Sequence, residues 1–509
     1  MEQVGVGVNR RSFLKAGTAA LSSSTLARRS LWAEDTPSLA EDPRRPQFHL
    51  LPVHNWMNDP NGPLYFEGLY HMFFQYNPEA AVWGNMSWNH AISNDMIHWK
   101  NLPVAFTVTP GGPDAAGCFS GSTLSVPHND RQRVYALYTG VVRDKEHETI
   151  RNEGLRESQC LSWSDDPLLR VWHKRPTPII PLPPNGLRVT GFRDPSVWRH
   201  GSSYLMGVGS GIEAVGGCML LYRSDDLLNW KYLHYVAAGS WTGAFTSNPV
   251  DDGEMWECPE LFPLDGGHVL IYSSLRRVFW QSGVLDPATL RFTAKNGGML
   301  DFGAFYAPKT QLDAKGRRIL WGWIPEKRSE DDMRNAGWSG MVSLPRVLRL
   351  EEDGTLRMEA LPELSVLRTK AIPATVMVSG AKVTLPGSNG EVICNGRRGE
   401  PFEITIGTGS VLVRVQYAPQ THRIRIGDRE AELPVRDDPS VHVFVDGSVI
   451  EIFVSGRVAY TQRFYYEGPS APAITVRTTG SATTLRSWSL DAISTDRLTT
   501  LDRSAAQAQ

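Results

Sequence analysis

The chain is poor in the features that mark several large protein classes. It has only five cysteines in 509 residues, at Cys118, Cys160, Cys218, Cys258 and Cys394, and no C-x-x-C pair. An odd, scattered set in a long chain excludes a disulfide scaffold, and the missing pair excludes zinc-ribbon and thioredoxin-like sites. There is no basic excess: 52 Lys and Arg stand against 54 Asp and Glu, for a net charge of −2. No nucleic-acid partner is therefore expected. No segment is apolar for the length of a membrane span, so the mature chain is expected to carry no membrane anchor. Helical periodicity is also missing from the body of the sequence.

The N-terminus reads as an export signal. Asn9-Arg10-Arg11-Ser12-Phe13-Leu14-Lys15 matches a twin-arginine pattern, and a weakly apolar stretch runs from Ala16 to Leu26. It is too short and too rich in serine to span a bilayer. Residues 1–33 are read as this signal, with cleavage after Ala27 or Ala33 and a periplasmic or extracellular destination. Such export moves folded protein, which agrees with a fold that does not depend on disulfides.

What the chain does have is short β-rich runs at long, regular spacing. Leu69–Gln75, Val134–Thr139, Tyr204–Val208, Val269–Ser273 and Ile319–Trp323 start 65, 70, 65 and 50 residues apart. Three units continue into a Ser-x-Asp…Trp segment: Ser93, Asp95 and Trp99; Ser164, Asp166 and Trp172; Ser224, Asp226 and Trp230. Five repeats of short strands predict an all-β chain with a five-bladed β-propeller over 48–355. A two-sheet sandwich with long loops is the competing architecture for this part. Over 365–495 the strands alternate. Phe402, Ile404 and Ile406 share one face, as do Val411, Val413, Val415 and Tyr417. Val441, Val443 and Val445 lead through an Asp446-Gly447 turn to Ile450, Ile452 and Val454. This predicts a C-terminal β-sandwich. Leu350–Leu364 is read as the connection and 496–509 as a disordered tail.

In a propeller the innermost strands line a central channel, so residues just before each β-rich run are candidates for its mouth. They are Asp59, Ser120, Asp194, Glu257 and Tyr306. A lone Asp before a strand is usually a solvated turn residue. Three carboxylates at corresponding places shift one another's protonation and fit glycosidic cleavage.

The local sequences are Trp56-Met57-Asn58-Asp59-Pro60-Asn61-Gly62, Phe119-Ser120-Gly121-Ser122, Arg193-Asp194-Pro195 and Glu257-Cys258-Pro259, in that order. Together they resemble the signatures of glycoside hydrolase family 32, the invertases, exo-inulinases and levanases. The resemblance implies a retaining β-fructofuranosidase acting on fructan or sucrose. Asp59 would be the nucleophile, Glu257 the acid/base and Asp194 the transition-state stabiliser. It also implies substrate contacts from Asn58, Gln75, Trp83, Phe119, Ser120, Arg193, Trp323 and Trp338. For the two last tryptophans, blade core is an equal alternative. No metal and no cofactor are expected.

Beside that resemblance, the residues carry their own expectations. Arg193 should favour an ionised Asp194, and Glu257 should hold its proton because it faces two other carboxylates. Cys258 is read as a packed neighbour, and His90 and His98 as structural. Asn89 departs from the usual pattern and is placed at the pocket rim. Tyr306-Ala307-Pro308-Lys309 matches its motif only in part. Competing functions are an inverting arabinan- or xylan-cleaving propeller, a non-catalytic sugar-binding propeller, and fructosyl transfer to a sugar.

Overall fold

The computed structural model describes residues 36–146, 154–243, 246, 248–434, 437–480 and 484–500. The signal sequence lies outside them. Five sheets, each built on four antiparallel strands, follow one another along the chain, and two of them take up a short fifth strand. Their innermost strands are Asn55–Phe66, Gly117–His128, Val189–His200, Glu257–Leu264 and Tyr306–Leu312. Each touches the next, and the fifth touches the first, so the sheets close into a ring. The five β-rich runs of the sequence are the second strands of these blades. Ring closure comes from one short segment. Trp338–Ser339 pairs in parallel with Asn55 and Trp56 of blade one, and Met341–Val342 pairs with blade five.

The Ser-x-Asp…Trp repeat is the turn between the third and fourth strands of blades one to three. In blade one the Ser93 hydroxyl accepts the amides of Asp95 and Met96, and the Asp95 carboxylate accepts those of Ile97 and His98. The Trp99 indole then donates to the Met96 carbonyl at 3.0 Å. Trp172 and Trp230 donate in the same way to Leu169 and Leu227. Met96, Leu169 and Leu227 all take left-handed backbone (φ 67°, 53° and 65°) and all bury their side chains. Local polar capping and an apolar anchor together hold a conformation that non-glycine residues otherwise avoid.

The propeller runs further than the sequence indicates. Arg346–Leu350 and Leu356–Ala360 are the outer strands of blade five, so the expected connection is blade, and the true link is the single turn Pro362–Leu367. An interruption at 325–345, carrying a short helix and the closure segment, separates these strands from the rest of their blade and hides them in the sequence. The sandwich comprises a six-stranded and a seven-stranded sheet over Arg368–Leu490. Val383, Ile404, Val413, Val443 and Ile452 are among the side chains of its shared core. Val411 is an exception to the expected face, being exposed at the start of its strand. The expected hairpin turn is displaced by one residue. Asp446 pairs with Val449, so the loop is Gly447-Ser448, with Gly447 at φ 58°. Within the supposed tail, residues 496–500 are packed: Leu498 is buried and the Thr499 carbonyl accepts from the Asn101 amide at 2.7 Å.

Charge crosses the junction between the domains in a fully buried network. Arg346 of blade five pairs with Asp301 at 2.8 Å and with Glu451 of the sandwich at 2.6 Å. His49, on the segment entering blade one, places Nδ1 2.8 Å from Asp446 and Nε2 3.0 Å from Glu451. Burial alone lowers the His49 pKa, but the two carboxylates outweigh it and raise it from 6.5 to about 9. A raised pKa stabilises the fold fully below 6.5, and that contribution is lost as pH climbs through about 9. The calorimetric unfolding midpoint should therefore fall across this window, and His49→Gln should flatten the fall. A wild-type midpoint insensitive to pH there would contradict the charge assignment. Arg346→Met leaves the buried Asp301 without its cation and Glu451 with His49 alone, and should cost about 3–5 kcal/mol of stability.

Candidate active site

Every inner strand breaks register at the same level. Two residues oppose one on the neighbouring strand: Asn58-Asp59, Phe119-Ser120, Asp194-Pro195, Cys258-Pro259 and Ala307-Pro308. These β-bulges re-aim the chain at the channel mouth. Gly121 is required beside the second, because a Cβ there would lie 2.0 Å from the Leu137 carbonyl oxygen.

In blades three to five the first bulged residue is forced into left-handed backbone, with Asp194 at φ 63°, Cys258 at 48° and Ala307 at 49°. Such conformations cost about 1–3 kcal/mol each and persist only when their surroundings fix them. The fixing contact is the same in all three. The Asp194 amide donates to Thr139 Oγ1 of blade two at 2.9 Å. The Cys258 amide donates to Asp194 Oδ2 of blade three at 3.0 Å. The Ala307 amide donates to Ser273 Oγ of blade four at 3.1 Å. Each blade thus holds the strained residue of the next.

The three carboxylates are brought together and buried, Asp59 and Asp194 at 0% exposure and Glu257 at 2%. Their register is not uniform. Asp59 and Asp194 lie within bulges, whereas Glu257 is the last paired residue before one, and Cys258 occupies the bulge. The Cys258 thiol stands between the two aspartates, 3.6 Å from Asp59 Oδ2 and 3.4 Å from Asp194 Oδ2.

Asp59 is the acceptor at the end of a closed loop of side chains. Asn58 Nδ2 donates to its Oδ1 at 3.0 Å, and the Ser120 hydroxyl donates to Oδ2. Asn58 Nδ2 also donates to Gln75 Oε1 at 3.1 Å, and Gln75 Nε2 donates to Ser120 at 2.9 Å. The Trp56 indole fixes Asn58 from behind at 2.7 Å. Asn58 and Ser120 thus each donate a hydrogen bond to Asp59, one to each of its oxygens. Asn58, Gln75 and Ser120 were expected to touch substrate; here they hold Asp59.

Glu257 sits in a different environment. Arg193 donates to its Oε1 through Nε at 2.9 Å and Nη2 at 2.8 Å, and the Tyr306 hydroxyl donates to Oε2 at 2.7 Å. Arg193 thus serves Glu257, the carboxylate four strands on and not only its neighbour in sequence. Asp59 and Asp194 stand on either side of the Cys258 thiol. Arg193 also reaches Glu157 Oε1 at 3.0 Å. Glu157, on the third strand of blade two, was not foreseen, since one Glu in a strand resembles any solvent-facing residue.

Aromatic rings surround the carboxylates. Trp323 lies edge-on to Trp56 at 5.8 Å and to Tyr306 at 6.5 Å, and Trp83 lies edge-on to Phe119 at 6.0 Å. Trp338 does not join them. It is wholly buried, donates to Asp42 at 2.8 Å, and packs under the guanidinium groups of Arg45, Arg328 and Arg463. Asn89 is likewise not at the rim: it lies on the third strand of blade one, opposite Phe74. His90 pairs with His71 at 2.9 Å in the blade interior, and burial lowers the pKa of both.

Buried, separately tuned carboxylates at the mouth of a five-bladed propeller, with a sandwich domain behind, define the class of carbohydrate-cleaving hydrolases. Comparison with known proteins makes this specific. The family model described as "Glycosyl hydrolases family 32 N-terminal domain" matches residues 49–360, and that for the family's C-terminal domain matches 397–492. The chain belongs to glycoside hydrolase family 32. It is 33% identical to the raffinose invertase of Escherichia coli over 84% of this chain and 90% of that protein. It is 35% identical to an insoluble β-fructofuranosidase isoenzyme of Arabidopsis thaliana, over 69% of this chain and 62% of that protein. The solved Bombyx mori family 32 β-fructofuranosidase superposes with a TM-score of 0.75 at 27% identity, covering 91% of this chain and 97% of the other.

The Asp59 loop generates a test. Ser120→Ala removes one donor to Asp59 and leaves the fold intact. It should lower kcat/KM about 10- to 100-fold, the equivalent of about 1.5–3 kcal/mol for a hydrogen bond to a charged group. Steady-state kinetics on sucrose would measure it, and an unchanged kcat/KM would show that the loop does not serve Asp59.

Proposed function

We propose that this protein is a secreted, retaining β-fructofuranosidase that releases terminal fructose from fructans and from sucrose. The observation that carries this is the contrast between the two carboxylates, one accepting from the Asn58 amide and the Ser120 hydroxyl and the other set between a guanidinium and a phenol. Asp59 attacks the anomeric carbon as Glu257 gives its proton to the departing oxygen. A fructosyl–Asp59 ester results. Glu257, now ionised, takes a proton from water, which attacks the same carbon and releases Asp59. Asp194, held by the Cys258 amide, accepts fructose hydroxyls. The ring of Trp56, Trp83, Phe119, Tyr306 and Trp323 gives the sugar apolar walls.

Relatives support the substrate class. The raffinose invertase and a sucrose-6-phosphate hydrolase of Escherichia coli match the chain over more than four-fifths of its length. A variant of the Bombyx mori enzyme was solved with sucrose, and a fructan 1-exohydrolase variant from Cichorium intybus with 1-kestose. Export rests on the Arg10-Arg11 motif. The five cysteines are free and buried, as a protein folded before export allows.

Four outcomes test these readings. Time-resolved chromatography on levan, inulin and sucrose should show fructose first; early long oligosaccharides would mean internal cleavage, and early kestose-type products would mean transfer. Asp59→Asn should lower turnover of every fructoside by ~10⁴-fold, about 5.5 kcal/mol of barrier. Glu257→Gln should instead spare substrates with activated leaving groups and be rescued by azide, giving a β-configured product. Azide rescue of Asp59→Asn in its place would reverse the roles. Replacing Arg10 and Arg11 by Lys should leave active enzyme in the cytoplasm, and unchanged export would remove the signal reading.

A further inference from the structure

Glu157 has no place in the two-carboxylate mechanism, yet it is fully buried and tied to it. Its Oε2 accepts the Phe192 amide at 2.6 Å, and its Oε1 accepts Arg193 Nη1 at 3.0 Å. The same guanidinium gives Nε and Nη2 to Glu257. One cation therefore stands between two buried carboxyls, one of them beside the reacting bond and one a strand further out. The Tyr306 hydroxyl also donates to Glu257, and Cys258, next to it in sequence, stands between Asp194 and Asp59.

We propose that Glu157 is a positioning residue for the acid/base: by sharing Arg193 with Glu257, it sets how strongly Glu257 holds its proton. A guanidinium given wholly to Glu257 would favour the ionised acid and weaken it as a proton donor at neutral pH. Divided between two carboxyls, it orients Glu257 while leaving it protonatable. Burial raises the Glu157 pKa against the pull of Arg193, with Glu257 adding to the rise, so the two carboxyls respond to each other's charge. This rests on Glu257 being the acid/base.

The test is the pH profile of kcat/KM for sucrose. Glu157→Gln removes one claimant on Arg193, so the basic limb should move to lower pH by about half a unit or more. Glu157→Asp keeps the charge, so its basic limb should stay near the wild-type position even where kcat/KM falls. A uniform loss in Glu157→Gln with the limb in place would mean a purely structural role and overturn the proposal. A second measurement leaves Glu157 untouched and survives a folding failure of its variants. In Glu257→Gln, infrared titration should show a buried carboxyl losing its proton at lower pH than in wild type; no displacement would overturn the link. Should Glu257→Gln retain wild-type sucrose turnover, the acid/base assignment itself fails, a result read without any change at Glu157.

Discussion

A strained residue at the channel mouth is tolerable only if its amide is satisfied, and in blades three to five the preceding blade satisfies it. The positions of Asp194, Cys258 and Ala307 thus depend on closure of the ring, and the site exists only in the assembled propeller. At Asp194 the same stitch ends on a carboxylate. The oxygen that accepts the Cys258 amide belongs to the carboxylate that completes the site. Stability and chemistry are joined there by one hydrogen bond, and proline after each strained residue keeps the chain from relaxing into helix.

Electrostatics follow the same economy of placement. Many charged side chains are buried, and several of them share partners. Arg193 serves Glu157 and Glu257, and Arg346 serves Asp301 and Glu451. A shared cation is costly to bury but fixes two acids at once, and removing it takes a partner from both. At the domain junction this arrangement locks the sandwich onto blade five. At the channel mouth it separates the roles of the carboxylates, because Asp59 is served by neutral donors and Glu257 by a cation and a phenol. Among the described residues, none of the catalytic cluster comes from the sandwich, which meets blade five through the Arg346–Glu451 pair.

Much of this was legible in the residues. The five β-rich runs mark the second strands, and the Ser-x-Asp…Trp repeat is a self-contained turn whose hydrogen bonds lie within seven or nine residues. The motif carboxylates were found because they stand at corresponding places before the β-rich runs, in or beside bulges that recur at one level of the ring. What escaped notice was set by tertiary placement. Trp338 has the composition of a sugar platform, but three guanidinium groups and Asp42 enclose it. Arg193 is adjacent to Asp194 in sequence, yet its guanidinium reaches Glu257, four strands on. The outer strands of blade five and the packing of Leu498 and Thr499 depend on partners far along the chain, which local pattern cannot reveal.

The central claim is that Asp59, held by Asn58 and Ser120, bonds covalently to the sugar while Glu257 handles the proton. Rapid quenching of Glu257→Gln during turnover of an activated fructoside, followed by peptide mass spectrometry, tests it directly. The account predicts a fructosyl adduct, 162 Da in mass by the elementary arithmetic of a hexose less water and so about that in the spectrum, on the peptide carrying Asp59. An adduct on the peptide carrying Asp194, or steady turnover with no adduct on any carboxylate, would contradict it.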